Sequence, residues 1–207
     1  MRKVIGSGNL IQDQQLQMLF SIPVGCKING DFENTMYSHN CIQNESYNAD
    51  NVSDDKFILD KYPHLKKWIL SEVNVYAKQA LSCTNELRIT QSWSIIGNSS
   101  LQIHQHPNSI ISGAYYINAD QYSSPLTFAK PYVQQLKWET DQDLLQSQDW
   151  NWDVVNFYPE IGKLILFPSY LGHGVVSNNR QSNRCVLSFN TWFSNPMGSI
   201  DSLTFLD

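Results

Sequence analysis

The chain has 207 residues, a length that fits one domain and allows a sizeable hydrophobic core. Six Trp, ten Tyr and nine Phe favour the half-buried surfaces of β-sheets. The net charge is -5 without any basic block, which argues against a nucleic-acid partner, and no apolar run approaches the roughly 20 residues of a membrane helix.

The N-terminus and the cysteines indicate a cellular location. A short basic start is followed by no apolar segment, so a secretory signal is not predicted. The four cysteines are scattered and form no Cys-x-x-Cys pair, as expected of thiols that stay reduced. They are Cys26, Cys41, Cys83 and Cys185. These features predict a cytoplasmic protein.

The first part of the chain combines irregular and helical patterns. Residues 16–28 read as a strand interrupted by proline and glycine, which is typical of an edge or cover strand. Residues 29–54 are polar and rich in turn formers, so they are predicted to form a loop. Residues 62–82 place apolar side chains along one helical stripe, and this helix should pack on the outside of a sheet. His39 and His64 are predicted to be solvated.

From residue 86 onward the hydrophobic pattern changes to a period of two. Strands are predicted at 86–96, 101–106, 109–118, 125–129, 153–158, 163–168, 173–177 and 184–193. The charged, glutamine-rich residues 130–152 are predicted to form an inserted loop. Short strands after a single helix predict a mainly β fold, an antiparallel sandwich or jelly roll with one supporting N-terminal helix. The predicted single domain spans residues 1–207, with its core at 86–193.

Three histidines stand at the ends of predicted strands. His104 and His106 are two residues apart, so on a strand they project from one face and need little rearrangement to chelate a metal. His173 begins another strand, and three ligands on one side of a metal leave positions open for substrate or oxygen. The alternative from the residues alone is histidines at a surface strand end, hydrogen-bonded to water.

Arg184 follows His173 after the turn-rich segment 177–183. Folded as a hairpin, that segment would bring Arg184 beside His173, roughly 5 Å across the ladder. On the last strand Arg184 and Ser188 share a polar face, and the opposite face is apolar. A guanidinium in a barrel mouth needs an anion, and a carboxylate is its natural bidentate partner. A structural Asp or Glu is the alternative partner.

Several segments resemble non-haem iron(II), 2-oxoglutarate-dependent oxygenases, and more narrowly a family found in bacteria and their phages. They are HQHPNSIISGAYYI at 104–117, PLTF at 125–128, PEIGKLILFPSYLGHGVV with NRCVLSFN within 159–190, and LFSIP at 19–23. The resemblance covers most of residues 86–193. It implies a double-stranded β-helix with iron(II) at its open end, 2-oxoglutarate as co-substrate and O₂ as oxidant.

The resemblance also implies a role for individual residues. His104 matches the first metal ligand and His173 the distal one, whereas His106 stands where the superfamily has a carboxylate and is similar to the second ligand of the narrower family. Arg184 matches the arginine that binds the far carboxylate of 2-oxoglutarate. Ser188 and Tyr116 are further candidate contacts to that carboxylate. Asn108 is an alternative oxygen ligand to the metal.

The resemblance predicts a dioxygenase that hydroxylates an unidentified small molecule or protein, in the bacterial host cytoplasm if the chain is phage-encoded. One alternative is a three-histidine dioxygenase that does not use 2-oxoglutarate. Another is a non-catalytic jelly-roll module with structural histidines. No membrane partner is predicted, and LFSIP at 19–23 is a candidate strand for pairing in a homodimer.

Overall fold

The computed structural model describes residues 21–30, 45–131, 153–197 and 201. In these ranges the chain forms nine strands, one α-helix and a short 3₁₀ helix at Ile58–Lys61. The elements are β1 (Gly25–Ile28), α1 (Pro63–Ala80), β2 (Leu87–Ile96), β3 (Leu101–His104), β4 (Ile111–Asn118), β5 (Leu126–Ala129), β6 (Val154–Phe157), β7 (Lys163–Pro168), β8 (His173–Val175) and β9 (Cys185–Phe193).

The strands make two antiparallel sheets. One has five strands in the order β1-β7-β4-β9-β2, and the other has four in the order β3-β8-β5-β6. The predicted jelly roll with one supporting helix is therefore confirmed. The predicted strands from residue 86 onward all form, with ends that differ by a few residues.

Helix α1 covers the outer face of the five-stranded sheet. The helix begins at Pro63, where a missing N–H costs no hydrogen bond, and buries one apolar stripe that includes Leu65, Ile69 and Val73. The stripe packs against the odd-numbered side of β9, where Leu187 and Phe189 are fully buried. Each such side chain contributes roughly 1.5–3 kcal/mol by burial. We call this layer the outer core.

A second apolar layer lies between the two sheets, and we call it the inner core. Tyr116 and Val186 come from the five-stranded sheet, and Phe128 comes from the four-stranded sheet. Phe128 and Phe167 pack edge to face, with ring centroids 4.9 Å apart. The two cores use opposite sides of β4 and β9, because neighbouring residues of a strand point to opposite faces.

The hairpin predicted between His173 and Arg184 is wrong. Strand β8 pairs with β3 and β5, whereas β9 pairs with β2 and β4, so the two residues lie in different sheets. The segment 177–183 crosses from one sheet to the other instead of turning back on itself. His173 and Arg184 therefore both belong to the inner side of the fold, but they come from opposite walls.

Some predictions fall on parts of the chain outside the described residues. These parts are the start of the strand predicted at 16–28, residues 31–44 of the polar loop, which include His39, and residues 132–152 of the inserted loop. His64, which is described, is exposed as predicted. Neither described helix has both the length and the apolar character needed to cross a bilayer.

Candidate metal and carboxylate site

His104 and His173 are placed side by side by the pairing of β3 with β8. His104 ends β3, His173 begins β8, and the two are directly opposite in the ladder, with ring centroids 4.5 Å apart. The strands approach closely at Gly174, where an added Cβ would lie 2.5 Å from the Leu101 carbonyl oxygen. A glycine at this position therefore sets the spacing of the two imidazoles.

His106 lies beyond the end of β3 and not on the strand that was predicted to carry it. Its backbone N–H donates to the Ser169 carbonyl at 3.1 Å, which anchors the segment after the strand. Its Nε2 lies 3.2 Å from Nε2 of His173, and its ring centroid lies 4.9 Å from that of His104. The structure thus brings together the three histidines that the sequence singled out.

Two of the three imidazoles have their protonation fixed by backbone carbonyls. Nδ1 of His104 lies 2.8 Å from the Gln102 carbonyl oxygen, and Nδ1 of His173 lies 2.8 Å from that of Leu171. A carbonyl oxygen can only accept, so each Nδ1 carries a proton, and in the neutral imidazole the lone pair then lies on Nε2. This arrangement orients a histidine for metal binding.

The surroundings of His106 and His173 disfavour their charged forms. Burial, followed by repulsion from His173 and His104, lowers the pKa of His106 to about 4. Burial, with a smaller contribution from His104, also lowers the pKa of His173 to about 4. Phe167 supports this environment, with its ring centroid 4.6 Å from that of His173. Both imidazoles are therefore neutral at pH 7 and able to coordinate a cation.

The donor set fits a single metal ion. One ligand nitrogen from each histidine lies within 4.8 Å of the others, and no other group of three or more potential ligands occurs among the described residues. Two nitrogens that bind one metal at a right angle, each at about 2.1 Å, lie about 3 Å apart. The 3.2 Å between His106 and His173 is close to that value. Asn108 is exposed in the following turn, with a φ of 56°.

Arg184 lies inside the fold, and no acidic side chain of the described residues pairs with it. Its side chain enters the inner core, where Cζ lies 5.6 Å from the centroid of the Tyr116 ring, and the residue is only 3% exposed. One guanidinium nitrogen donates to the Gly97 carbonyl at 3.3 Å. Within the described ranges no carboxylate forms an ion pair with Arg184, and its Nε has no hydrogen-bond partner. A buried cation of this kind is costly unless an anion joins it.

Tyr116 and Ser188 lie on the same inner face. The Tyr116 hydroxyl is buried and, among the described residues, makes no hydrogen bond of good geometry. Burial raises its pKa, and the positive charge of Arg184, together with a poorly aligned hydrogen bond to its guanidinium, acts against that rise. Ser188 of β9 is half-buried, and it lies opposite Ala114 of β4 on one side and opposite Trp93 of β2 on the other. Two unsatisfied polar atoms, Arg184 Nε and Tyr116 Oη, thus belong to one inner cluster.

Two features of the site were not found in the sequence. Trp93 packs edge to face on His106, with ring centroids 5.6 Å apart. A hydrogen-bonded chain also runs from Ser169 through Ser112 to the buried Asn190, with contacts of 2.8 Å. Asn190 could have been predicted to face the site, because the alternation of β9 places it on the same face as Arg184. Ser112 and Ser169 lie outside β9, and no sequence pattern indicated that they would join this chain of hydrogen bonds.

Residues 91–190 match the model of a family described as "Putative 2OG-Fe(II) oxygenase". Among solved structures, HygX from Streptomyces hygroscopicus with iron bound aligns with a TM-score of 0.57 and 9% identity, over 84% of this chain and 83% of that one. EctD from S. alaskensis with 2-oxoglutarate and 5-hydroxyectoine aligns with a TM-score of 0.54 and 14% identity, over 82% of this chain and 72% of that one. A 2OG-Fe(II) oxygenase family protein from Burkholderia pseudomallei aligns with a TM-score of 0.51 and 11% identity, over 76% of this chain and 77% of that one.

No curated protein matches the chain at a significant level. Two facing antiparallel sheets with one supporting helix define a jelly-roll protein, and the solved structures just named share that fold. The match over residues 91–190 confirms the resemblance to 2OG-Fe(II) oxygenases seen in the sequence. The narrower grouping with proteins of bacteria and phages stays a prediction.

Proposed function

We propose that the chain is an iron(II)- and 2-oxoglutarate-dependent dioxygenase that hydroxylates a small molecule or a protein. The family match, the fold and the three convergent histidines support this proposal. HygX has been solved with nickel and 2-oxoglutarate bound, at a TM-score of 0.51 and 8% identity to this chain. The hydroxylation of a small-molecule or protein substrate, the single domain and the cytoplasmic location stay predictions.

His104, His106 and His173 would hold the metal through their Nε2 atoms. All three are neutral donors, so this site carries one negative charge fewer than two histidines and a carboxylate. Nitrogen donors suit iron among other transition metals. Iron(II), with 2-oxoglutarate and O₂, would supply the oxidation, in which 2-oxoglutarate becomes succinate and CO₂ and one oxygen atom enters the substrate.

Arg184 would bind the far carboxylate of 2-oxoglutarate. Its Nε is a donor without a partner in the described residues, and the Tyr116 hydroxyl is a second donor of the same cluster. A carboxylate that accepts from both would neutralise the guanidinium and satisfy the two atoms left over in the fold. Ser188, on the same face of β9, is a third candidate donor. Phe128 and Phe167 pack beside His173 and make the wall around it apolar.

The observation that carries the proposal is the buried guanidinium of Arg184, which has no acidic partner among the described residues and lies on the same inner side of the fold as the three histidines. A structural arginine would have an acidic partner, and a metal site alone would not need a buried cation. A metal together with a dicarboxylate accounts for both features. The three-histidine alternative without 2-oxoglutarate would have to use Arg184 for a carboxylate of its own substrate.

The test is release of succinate by the purified chain supplied with iron(II), ascorbate, O₂ and 2-oxoglutarate, measured with and without candidate substrates. We expect succinate to form slowly without substrate, to require iron(II), and to be abolished by His104→Ala. The control is His64→Ala, because His64 is exposed on α1 and should leave succinate release unchanged. Bound metal without any conversion of 2-oxoglutarate would favour the three-histidine alternative. Failure to bind metal at all would favour the non-catalytic module.

A further inference from the structure

The three histidines are not held in the same way. His104 and His173 each donate from Nδ1 to a carbonyl two residues earlier in the chain, which fixes the rotation of the ring. Among the described residues, Nδ1 of His106 has no hydrogen-bond partner, and its only ring-nitrogen contact is between its Nε2 and His173. His106 also lies past the end of β3, without ladder hydrogen bonds to fix the backbone beyond its single bond to Ser169.

Trp93 is the aromatic ring that contacts His106 from outside the histidine cluster. Its indole packs on the imidazole with centroids 5.6 Å apart and an interplanar angle of 61°. Strand β2 carries Trp93 opposite Ser188 of β9, in the ladder with the most extensive pairing of the fold. An edge-to-face contact from a rigid strand restricts how an imidazole can rotate.

We propose that Trp93 is a positioning residue that holds the His106 imidazole with Nε2 directed at the metal position shared with His173. The indole would fix the orientation of the His106 ring, as the backbone carbonyls of Gln102 and Leu171 fix the rings of His104 and His173. This inference rests on the proposed metal site. It assigns to the indole no contact with metal, co-substrate or substrate.

The probe is Co²⁺ alone, titrated into the metal-free protein against a competing chelator, with the visible absorption of the bound ion recorded. Trp93→Leu should weaken Co²⁺ binding about tenfold, the lower end of the range for groups that orient a ligand. It should also change the Co²⁺ spectrum, because His106 then coordinates in a different orientation or not at all. Trp93→Phe retains an aromatic edge and should bind within about threefold of the unchanged protein, since a smaller ring keeps part of the contact.

Trp68→Leu is the matched control. Trp68 makes an aromatic contact of similar length, 5.7 Å between its centroid and that of Tyr115, but it does so in the outer core. Its removal should lower the melting temperature and leave Co²⁺ affinity and spectrum unchanged. If Trp93→Leu does not fold, Trp93→Met replaces it with a flexible apolar side chain of similar reach, and the same loss is expected.

The outcomes separate this inference from the proposed function. Co²⁺ affinity and spectrum unchanged in Trp93→Leu or Trp93→Met would overturn the role of Trp93 and leave the metal site intact. Equal losses with Phe and with Leu would also overturn it, because the aromatic edge would then not matter. If the unchanged protein does not bind Co²⁺, or if His106→Ala binds it as tightly, the metal site with His106 as ligand fails, and the role of Trp93 fails with it.

Discussion

Tyr115 and Tyr116 are consecutive residues of β4, both fully buried, and they face opposite cores. The Tyr115 hydroxyl accepts a hydrogen bond from Asn29 at 3.2 Å, and its ring packs on Trp68. The Tyr116 hydroxyl has no partner of good geometry in the described residues, and its ring lies under Arg184. One tyrosine is satisfied within the fold, and the other has a polar atom left for something else to bind.

The same contrast holds for the two cores as wholes. In the outer core the apolar stripe of α1 meets apolar residues of the sheet, and its role is stability. In the inner core an arginine, three histidines and a tyrosine hydroxyl share space with phenylalanines. An unsatisfied buried polar group costs about 1–3 kcal/mol, so a fold retains one where binding compensates for it. The predictions below test whether the inner polar groups serve binding and the outer side chains serve stability.

The largest effect is expected from His173→Ala. Loss of one of three ligands should weaken Co²⁺ or Fe²⁺ binding by more than about 100-fold, the upper end of the effect for a group that merely orients a ligand. The mirror-image change is Ile69→Ala in the outer core, which should lower the free energy of unfolding by about 2–5 kcal/mol without altering metal affinity. Metal titration and chemical denaturation of both variants give the comparison. Unchanged metal affinity in His173→Ala would contradict the assignment of His173 as a metal ligand.

Arg184→Met should weaken 2-oxoglutarate binding by about tenfold to 100-fold, because a charge-assisted hydrogen bond of about 1.5–3 kcal/mol is lost. Metal affinity should not change, and the metal-free protein should be as stable as before or more so, since the variant removes a buried charge that no carboxylate of the described residues pairs with. Calorimetry with metal-loaded protein and a thermal melt measure these effects. The control is Arg180→Met, because Arg180 lies over Tyr122 at 5.3 Å on the surface. A destabilised Arg184→Met with normal 2-oxoglutarate affinity would make the arginine structural.

Gly174→Ala should weaken metal binding about tenfold by moving His104 away from His173. A Cβ there would meet the Leu101 carbonyl oxygen at 2.5 Å, so the backbone of β3 has to shift. Gly172→Ala is the matched control, because its Cβ would meet side-chain atoms and no backbone: Ile103 Cγ2 at 3.2 Å and Ala129 Cβ at 3.9 Å. Metal titration of the two variants distinguishes them. Equal affinities would show that the spacing of β3 and β8 does not set the site.

The smallest effect is expected from the two tyrosines. Tyr116→Phe should reduce 2-oxoglutarate affinity about fivefold, the equivalent of about one hydrogen bond, and leave the metal-free protein no less stable. Tyr115→Phe should instead destabilise the protein by about 1 kcal/mol, because it removes the hydrogen bond from Asn29 to the Tyr115 hydroxyl, and should not affect 2-oxoglutarate affinity. Thermal melts and calorimetry measure both effects. If Tyr116→Phe lowers only stability and Tyr115→Phe lowers only 2-oxoglutarate affinity, the roles assigned to the two cores are wrong.

Much of this architecture follows from the sequence because it depends on local periodicity. The period of two from residue 86 predicts the strands, and the stripe of α1 predicts the helix. The three histidines and Arg184 were found because their side-chain chemistry is unusual for their positions. The sequence did not predict that β8 and β9 belong to different sheets, because the turn-rich segment 177–183 between them allows either a hairpin or a crossing between sheets.

The contacts around His106 could not be predicted either. The pairing of β3 ends at His104, and this depends on its partner β8 and not on the sequence of β3 itself. The contact between Trp93 and His106 joins β2 to the segment after β3 across the space between the sheets. Such contacts follow from the relative placement of two sheets, which local periodicity does not determine.

The most direct test is a crystal structure of the protein grown without oxygen in the presence of iron(II) and 2-oxoglutarate. We predict a metal ion about 2.1 Å from Nε2 of His104, His106 and His173. We also predict the far carboxylate of 2-oxoglutarate within hydrogen-bonding distance of Arg184 Nε and Tyr116 Oη. A metal that does not bind His106, or a carboxylate bound away from Arg184, would contradict this account of the inner core.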